Sequence, residues 1–326
     1  MTKKNVTVGV DIGGTNTVIG FVDDEGNYLF GNTIPTNAEE NAEKFVIRLA
    51  EHIKMLYGQN ENEVQLTGIG VAAPSANYFR GTIESPSNLK WGNVNFIELL
   101  KHHFDVPTAI TNDANAAALG ELAFGSARGM KNFVVLTLGT GFGSGIVVDG
   151  KMLYGEHGLA GELGHVIVYP NGRKCSCGKS GCLETYVSAS GLRRTVFDLL
   201  AQNNNESKLR SFSYNDLTAK KISEFALEND PLALKAFEFT GEILGRALVN
   251  IVSCFNPEAI ILFGGLADSG DLLLKPAVKY FEKDLLKVYK GKVRIIKSKL
   301  QSGKAAVLGA SSLIRGQINE YKSKVS

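Results

Sequence analysis

Three of the chain's four cysteines fall within eight residues, as Cys175-x-Cys177-x4-Cys182, and His165 stands ten residues before the first. Three thiolates and one imidazole nitrogen make a closed tetrahedral zinc set. Gly172, Gly178 and Gly181 let the backbone fold tightly enough to bring the sulfurs onto one ion. Buried reduced thiols or a disulfide are the alternatives, and the disulfide is disfavoured because nothing else suggests secretion. Glu162 lies three residues before His165, and Glu184 two after Cys182. A metal-bound imidazole has a second nitrogen that is normally held by a hydrogen bond. If a ligand hydroxyl were its partner, the metal would fix a ligand-binding histidine, and the two carboxylates could accept further hydroxyls. Spacing alone leaves both acids equally readable as solvated surface groups.

Two further carboxylates occupy unusual places. Asp11 ends an apolar strand and opens the turn Asp11-Ile-Gly-Gly-Thr-Asn-Thr17. Paired glycines at 13 and 14 would let backbone amides approach phosphate oxygens, and the aspartate suits a magnesium ion or its water shell. An ordinary hairpin with a turn aspartate is the alternative. Asp113 sits where the strand Thr108 to Thr111 runs into an alanine-rich helix, Asn112-Asp-Ala-Asn-Ala-Ala. It reads either as a helix N-cap or as a carboxylate at a strand end facing a ligand, where it can act as general base toward a hydroxyl.

The rest of the chain has to position these groups. Its 326 residues suffice for two domains, and an apolar fraction of 44% supports a large core. Net charge is +2, from 35 basic and 33 acidic residues spread along the chain, without the basic stripe of nucleic-acid binders. No apolar run reaches the roughly 20 residues of a membrane helix, and the N-terminus lacks the apolar region of a signal peptide. Cys254 falls in an apolar helical pattern and reads as a small core residue.

Val6 to Val10, Val18 to Val22 and Tyr28 to Phe30 read as strands, and Asn41 to Tyr57 as an amphipathic helix. Leu66 to Val71 is a strand, followed by a Pro-containing loop from Ala72 to Asn88. Asn88 could bond a ligand hydroxyl or its own backbone. Phe96 to His103 is a short helix. Phe133 to Leu138, Gly139 to Gly145 and Ile146 to Val148 repeat the strand, glycine turn and strand of the first segment at an offset of about 126 residues. Neither GxGxxG nor a P-loop is satisfied. Helices follow at 188–200, 217–228 and 232–255, the first two joined by a polar loop at 202–207. The strand Ala259 to Phe263 then ends in Gly264-Gly265, with a helix past Asp271. That glycine pair could admit a base or ribose, or be a plain turn. Val293 to Lys297 and Ala305 to Glu320 are the last strand and helix.

Five motifs occur in order: Asp11-Ile-Gly-Gly-Thr-Asn16, the Asn112-Asp113 segment, Gly139 to Gly145, Gly161-Glu-Leu-Gly-His165, and Cys175-x-Cys177-Gly-x-x-Gly-Cys182-x-Glu184. Together the chain resembles the ROK family (repressors, open reading frames and kinases), most closely its bacterial glucokinases. The resemblance implies an α/β, actin-like, hexokinase-type (ribonuclease H-like) duplicated fold of two domains with an interdomain cleft. It divides the chain into 1–115 plus 305–326 and 116–304, the second carrying the zinc loop. It also implies ATP-dependent phosphorylation of a hexose on its primary hydroxyl, with glucose as first choice and Asp113 as base. Structural zinc would be held by His165, Cys175, Cys177 and Cys182, and sugar hydroxyls by Asn88, Asn112, Asp113, Glu162, His165 and Glu184. ATP phosphates would meet Gly14, Thr15, Asn16, Thr140 and Gly141. Adenosine would lie by Gly264 and Gly265, with Asp11 serving magnesium.

A cytoplasmic homodimer is implied as well. Some relatives place a basic residue by the first glycine turn, whereas Asn16-Thr17-Val18 carries no cation, so phosphate binding there must rest on amides and metal. The loop Asn77 to Ser87 is read as choosing the sugar, with fructose, mannose, allose and N-acetylhexosamines as other candidates. The rival reading is a sugar-responsive repressor of the same family. It is disfavoured because only five residues precede Val6, too few for a DNA-binding winged helix.

Overall fold

The computed structural model describes residues 3–86, 88–202, 204, 206–301 and 303–325, with side chains through residue 318. Ser87, which closes the loop read as 77–87, and residues 203 and 205 of the loop read as 202–207 lie outside the described residues. The chain forms two compact units. One comprises Met1–Gly129, Met152–Ala160 and Lys299–Ser326, and the other Met130–Lys151 and Gly161–Ser298.

The first unit opens with strands β1 (Lys4–Ile12), β2 (Asn16–Asp23) and β3 (Tyr28–Pro35), then helix α1 (Ala42–Gly58) and strand β4 (Val64–Ala73). Short strands β5 (Ala76–Asn77), β6 (Thr82–Glu84) and β7 (Asn93–Val94) precede helix α2 (Phe96–Lys101), strand β8 (Thr108–Asn112) and helix α3 (Asp113–Phe124). The second unit contributes strands β9 (Phe133–Leu138) and β10 (Phe142–Val148), and strand β11 (Lys151–Met152) follows them. Helices α4 (Ala189–Gln202), α5 (Ala219–Leu227) and α6 (Pro231–Phe255), strand β12 (Ala259–Phe263), helix α7 (Asp271–Asp284) and strand β13 (Arg294–Lys297) complete it. Helix α8 (Ala305–Val325) belongs to the first unit. The division expected at 115/116 falls inside α3, and the units part after Gly129 instead.

The two main sheets share one plan. Their orders are β3-β2-β1-β4-β8 and β11-β10-β9-β12-β13. In each, the hairpin that carries the glycine turn is antiparallel and the next two strands are parallel to its first strand. This is the duplicated α/β arrangement that the repeat implied. Both turns are tighter than the sequence suggests: Gly13–Thr15 rather than 11–17, and Gly139–Gly141 rather than 139–145. Their alternating apolar flanks extend the ladders inward. The loop expected from Ala72 to Asn88 instead extends β4 to Ala73 and supplies β5 and β6, which β7 completes into a three-stranded sheet.

Alternation along β1 decides what each face meets. Val6, Val8, Val10 and Ile12 join a core with Phe45, Leu49 and Ile53 of α1. Asn41 caps that helix by accepting from the Glu43 amide at 2.7 Å. Thr7, Gly9 and Asp11 lie on the opposite face, where the Thr7 and Ser311 hydroxyls meet at 2.6 Å and tie β1 to α8. A side chain at Gly9 or Gly70 would collide with the Val307 and Ala310 carbonyls of α8, and one at Gly309 with the Ala116 carbonyl of α3. So α8 lies directly on the sheet and approaches α3 closely at Gly309, with Leu119 and Phe124 of α3 packed in the clusters that hold Val307, Leu308, Leu313 and Ile314 of α8.

In the second unit, Asp230 caps α6 by accepting from the Leu232 and Ala233 amides, each at 3.0 Å. Left-handed Asn256 (φ 42°) ends the helix. Cys254, expected in the core, is exposed. The buried face of α6 runs through Leu244, Leu248 and Ile251, and Cys254 falls off that stripe.

Because Gly309 lets α8 reach α3, Gly309→Ala is expected to lower the melting temperature by roughly 3–10 °C, a loss of about 1–3 kcal/mol. Calorimetry that finds the temperature unchanged would contradict this packing.

Candidate active site

The carboxyl ends of β1, β4 and β8 lie side by side, with Asp11 paired to Ala72 and Ala72 to Thr111. Ligands of α/β sheets bind outside such ends. Asn112 is the N-cap of α3, its Oδ1 accepting from the amides of Ala114 at 2.7 Å and Asn115 at 3.2 Å. Asp113 is therefore the first helical residue and not the cap. Its Oδ1 accepts from the Ala114 amide at 2.8 Å. Its side chain remains exposed to water, yet the surrounding protein desolvates the carboxyl and raises its pKa.

Asp11 is half-buried. Desolvation, with repulsion from Asp113 second, raises its pKa to about 7. Each raised carboxyl favours folding only while protonated. For Asp11, ionisation therefore withdraws stability as pH climbs from 3.8 toward about 7, and the withdrawal is complete above that. A divalent cation between such groups would relieve the repulsion, and Asp11 is chemically suited to hold magnesium there.

The first glycine turn closes with the Gly13 amide donating to the Asn16 carbonyl at 3.0 Å. Thr15 and Asn16 are exposed. Asn88, also exposed, lies against this turn: a Cβ at Gly14 would stand 3.1 Å from its Nδ2. So Asp11, Gly14, Asn88, Asn112 and Asp113 all belong to the first unit.

The second turn closes one residue tighter, the Gly139 amide donating to the Gly141 carbonyl at 3.1 Å. The start of α4 takes its carbonyls. The Ala189 amide donates to the Gly139 carbonyl at 2.8 Å, and the Ser190 hydroxyl to that of Thr140 at 2.8 Å. In a trans peptide the carbonyl and the following amide point opposite ways, so the Thr140 and Gly141 amides are aimed outward. The Leu266 amide donates to the Leu138 carbonyl at 2.9 Å, and Gly264 (φ 101°) presses on Leu138. This sets Gly264 against Leu138, the residue that enters the second turn.

The thiol loop sits on the same unit. The Cys175 sulfur is 3.6 Å from the His165 Nδ1, and those of Cys177 and Cys182 are 3.6 Å apart. All four donor atoms lie within 4.8 Å of one another. Around a zinc ion of ordinary bond length, tetrahedral edges are about 3.8 Å between sulfurs and about 3.5 Å from sulfur to nitrogen. The residues fit the ion. Burial, with the neighbouring thiols, pushes the Cys182 thiol up to about 12, and a bound dication inverts that preference.

Gly178 (φ 89°) and Gly181 (φ 81°) make the reversals, whereas Gly172 has no such φ and instead leaves room for the Tyr186 hydroxyl. Arg173 pins the loop to α4, donating to Thr185 and Gly191 carbonyls, to the Thr195 hydroxyl, and to Asp198 at 2.6 Å.

Glu184 is half-buried rather than a free surface acid. Its Oε2 accepts from the Phe142 amide at 2.9 Å, and its Oε1 lies 3.8 Å from the Cys175 sulfur. Glu162 is exposed. Ser144, on β10, donates to the Gly161 carbonyl and accepts from the Leu163 amide at 3.3 Å, fixing the short 3₁₀ turn Leu163–His165. Sequence reading passed over Ser144 because it lay within a glycine run taken as turn. It also missed Ser190 and Thr36, whose partners are distant in sequence.

The ROK family model matches residues 7–317. A glucokinase of Halalkalibacterium halodurans is 38% identical over 281 residues, 84% of each chain. The structure of a ROK family glucokinase from Streptomyces griseus in complex with glucose and AMPPNP is similar, with TM-score 0.78 and 32% identity over 95% of this chain and 99% of that one. A ROK family transcriptional regulator has TM-score 0.86 at 26% identity, over 96% of this chain and 78% of its own. A likeness that runs nearly end to end, in sequence as well as in backbone, assigns the chain to the ROK family.

Proposed function

We propose that the chain is an ATP-dependent hexose kinase that phosphorylates a primary hydroxyl, with glucose to glucose 6-phosphate as the leading reaction. The observation that carries this reading is Asp113. It is a water-accessible carboxylate with a raised pKa, on the unit that carries the first glycine turn and Asp11. A base with a pKa raised toward neutrality takes a proton more readily in a transition state. The glucokinase relatives, one of them solved with glucose and AMPPNP, support the substrate pair.

In this mechanism Asp113 accepts the hydroxyl proton as the sugar oxygen attacks the γ-phosphorus. The new O–P bond forms while the bond to the β-phosphate oxygen breaks, and ADP leaves. Phosphoryl transfer depends mainly on positioning and charge neutralisation. Amides at Gly14, Thr15 and Asn16, and at Thr140 and Gly141, meet the phosphates, while Gly264 and Gly265 accommodate adenosine. Magnesium, held through Asp11, supplies charge neutralisation when bound. Asn88, Asn112, Glu162, His165 and Glu184 take sugar hydroxyls.

His165, Cys175, Cys177 and Cys182 would hold zinc in a structural role. With the His165 Nδ1 facing the Cys175 sulfur, its Nε2 would remain for the sugar. Asn112 Oδ1 is occupied by α3, so its amide NH₂ is the group offered. A homodimer in the cytoplasm is part of this proposal. No described helix is long and apolar enough to cross a membrane.

The second reading, a sugar-responsive regulator without catalysis, draws on the likeness to the ROK regulator. Coupled assays across glucose, fructose, mannose, allose and N-acetylhexosamines separate the two. Asp113→Asn is expected to cut kcat about 10²–10⁴-fold while calorimetry still records sugar binding. Full activity in that variant removes Asp113 as base. Sugar binding by wild type without turnover selects the regulator. Elemental analysis is expected to find one zinc per chain, lost in Cys182→Ser together with thermal stability. Finding no metal in the wild-type chain would remove the ion from the account.

A further inference from the structure

Thr36, just past β3, is fully buried and lies 23 residues from the turn it touches. Its hydroxyl donates to the Gly13 carbonyl at 2.7 Å. That spends its only proton, so the Thr17 hydroxyl, 2.9 Å away, donates to it in turn. Its amide donates to the Thr15 carbonyl at 2.8 Å. One residue thus holds the carbonyls on both sides of Gly14.

No peptide bond among the described residues is cis. In a trans peptide the amide points away from the carbonyl of the same plane. Tying the Gly13 carbonyl toward Thr36 therefore turns the Gly14 amide away from Thr36, and tying the Thr15 carbonyl does the same for Asn16. Gly14 itself, without a side chain, would otherwise leave these planes free to rotate.

Thr36 is in turn held from behind. Arg48 of α1 donates to the Pro35 carbonyl at 2.7 Å and to that of Thr36 at 3.1 Å, and is paired with Glu40 at 2.6 Å. The residue is an anchored strut, not a loose neighbour.

We infer that Thr36 is a positioning residue for phosphoryl transfer, aiming the amides of the first glycine turn at the triphosphate. This rests on the kinase reading above. The turn carries no cation, so amide direction is most of what the protein itself can offer a phosphate there. A turn that keeps its fold but loses its aim binds nucleotide less well and reacts more slowly, while the hexose is unaffected.

The test compares wild type, Thr36→Val and Thr36→Ser. Valine keeps the shape and removes the hydroxyl, whereas serine keeps the hydroxyl. Steady-state kinetics with ATP and hexose varied separately are run beside calorimetric titration with AMPPNP and thermal melts. Thr36→Val is expected to lose about tenfold or more in kcat/KM for ATP, with KM for hexose within about twofold of wild type. Thr36→Ser is expected to recover most of that loss.

An unchanged kcat/KM for ATP in Thr36→Val overturns the inference. So does an equal loss toward ATP and hexose, or a serine variant no better than valine, since either marks a merely structural role. If wild type turns over no hexose, the kinase reading fails. AMPPNP affinity across the three proteins then still decides whether Thr36 aims the turn.

Discussion

Two carboxylates held near one another in poorly hydrated surroundings are the constraint on which the first unit turns. Desolvation raises the pKa of both carboxyls, and repulsion from Asp113 adds to the rise at Asp11. Nothing local favours the arrangement; the fold imposes it. Period-two alternation in β1 puts Asp11 on the face that α8 covers. The cap at Asn112 makes Asp113 the first residue of α3, with one oxygen on the Ala114 amide. Then α8, seated on Gly9 and Gly70, presses Gly309 against α3 so that the helix cannot back away. The stability withdrawn by this pair is of the kind proteins commonly spend at functional sites. A divalent cation is the kind of partner that would relieve such a pair.

Duplication supplied two glycine turns, each closed by the amide of its first glycine but held by different supports. In the first, a single buried threonine takes both flanking carbonyls. In the second, the amide end of α4 and the Ser190 hydroxyl do so. The second turn is also joined to the thiol loop. Glu184 accepts the Phe142 amide with one oxygen and approaches the Cys175 sulfur with the other. A Cβ at Gly141 would stand 2.6 Å from that carboxylate, so a glycine is required for the contact. Thiol loop and turn are thus one connected piece, with Arg173 fastening its far side.

Much of this was legible in the sequence because it rests on short-range rules. The glycine turns, the repeat near 126 residues and the Cys-x-Cys-x4-Cys spacing each lie within a few residues. Their signatures are steric or coordinative. The small sheet β5-β6-β7 was not legible, because strands of two or three residues carry no alternation. Cys254 was misread because the apolar stripe of α6 is broad enough to seem to include it. Asp113 was ambiguous because Asn112 and Asp113 both make good caps, and only the helix phase decides between them. Thr36, Ser144 and Ser190 left no signal, since their partners lie 17 to 50 residues away. A hydroxyl in a sequence does not announce which carbonyl it will meet.

The central claim is that Asp113 works as a base because its surroundings hold its pKa above the ordinary value of 3.8. The pH dependence of kcat/KM for the hexose, measured with saturating ATP and magnesium, tests it most directly. The base must be ionised to accept a proton, so the rate should fall as pH drops through a midpoint clearly above 3.8. A rate that stays constant down to that ordinary carboxylate value would contradict the account.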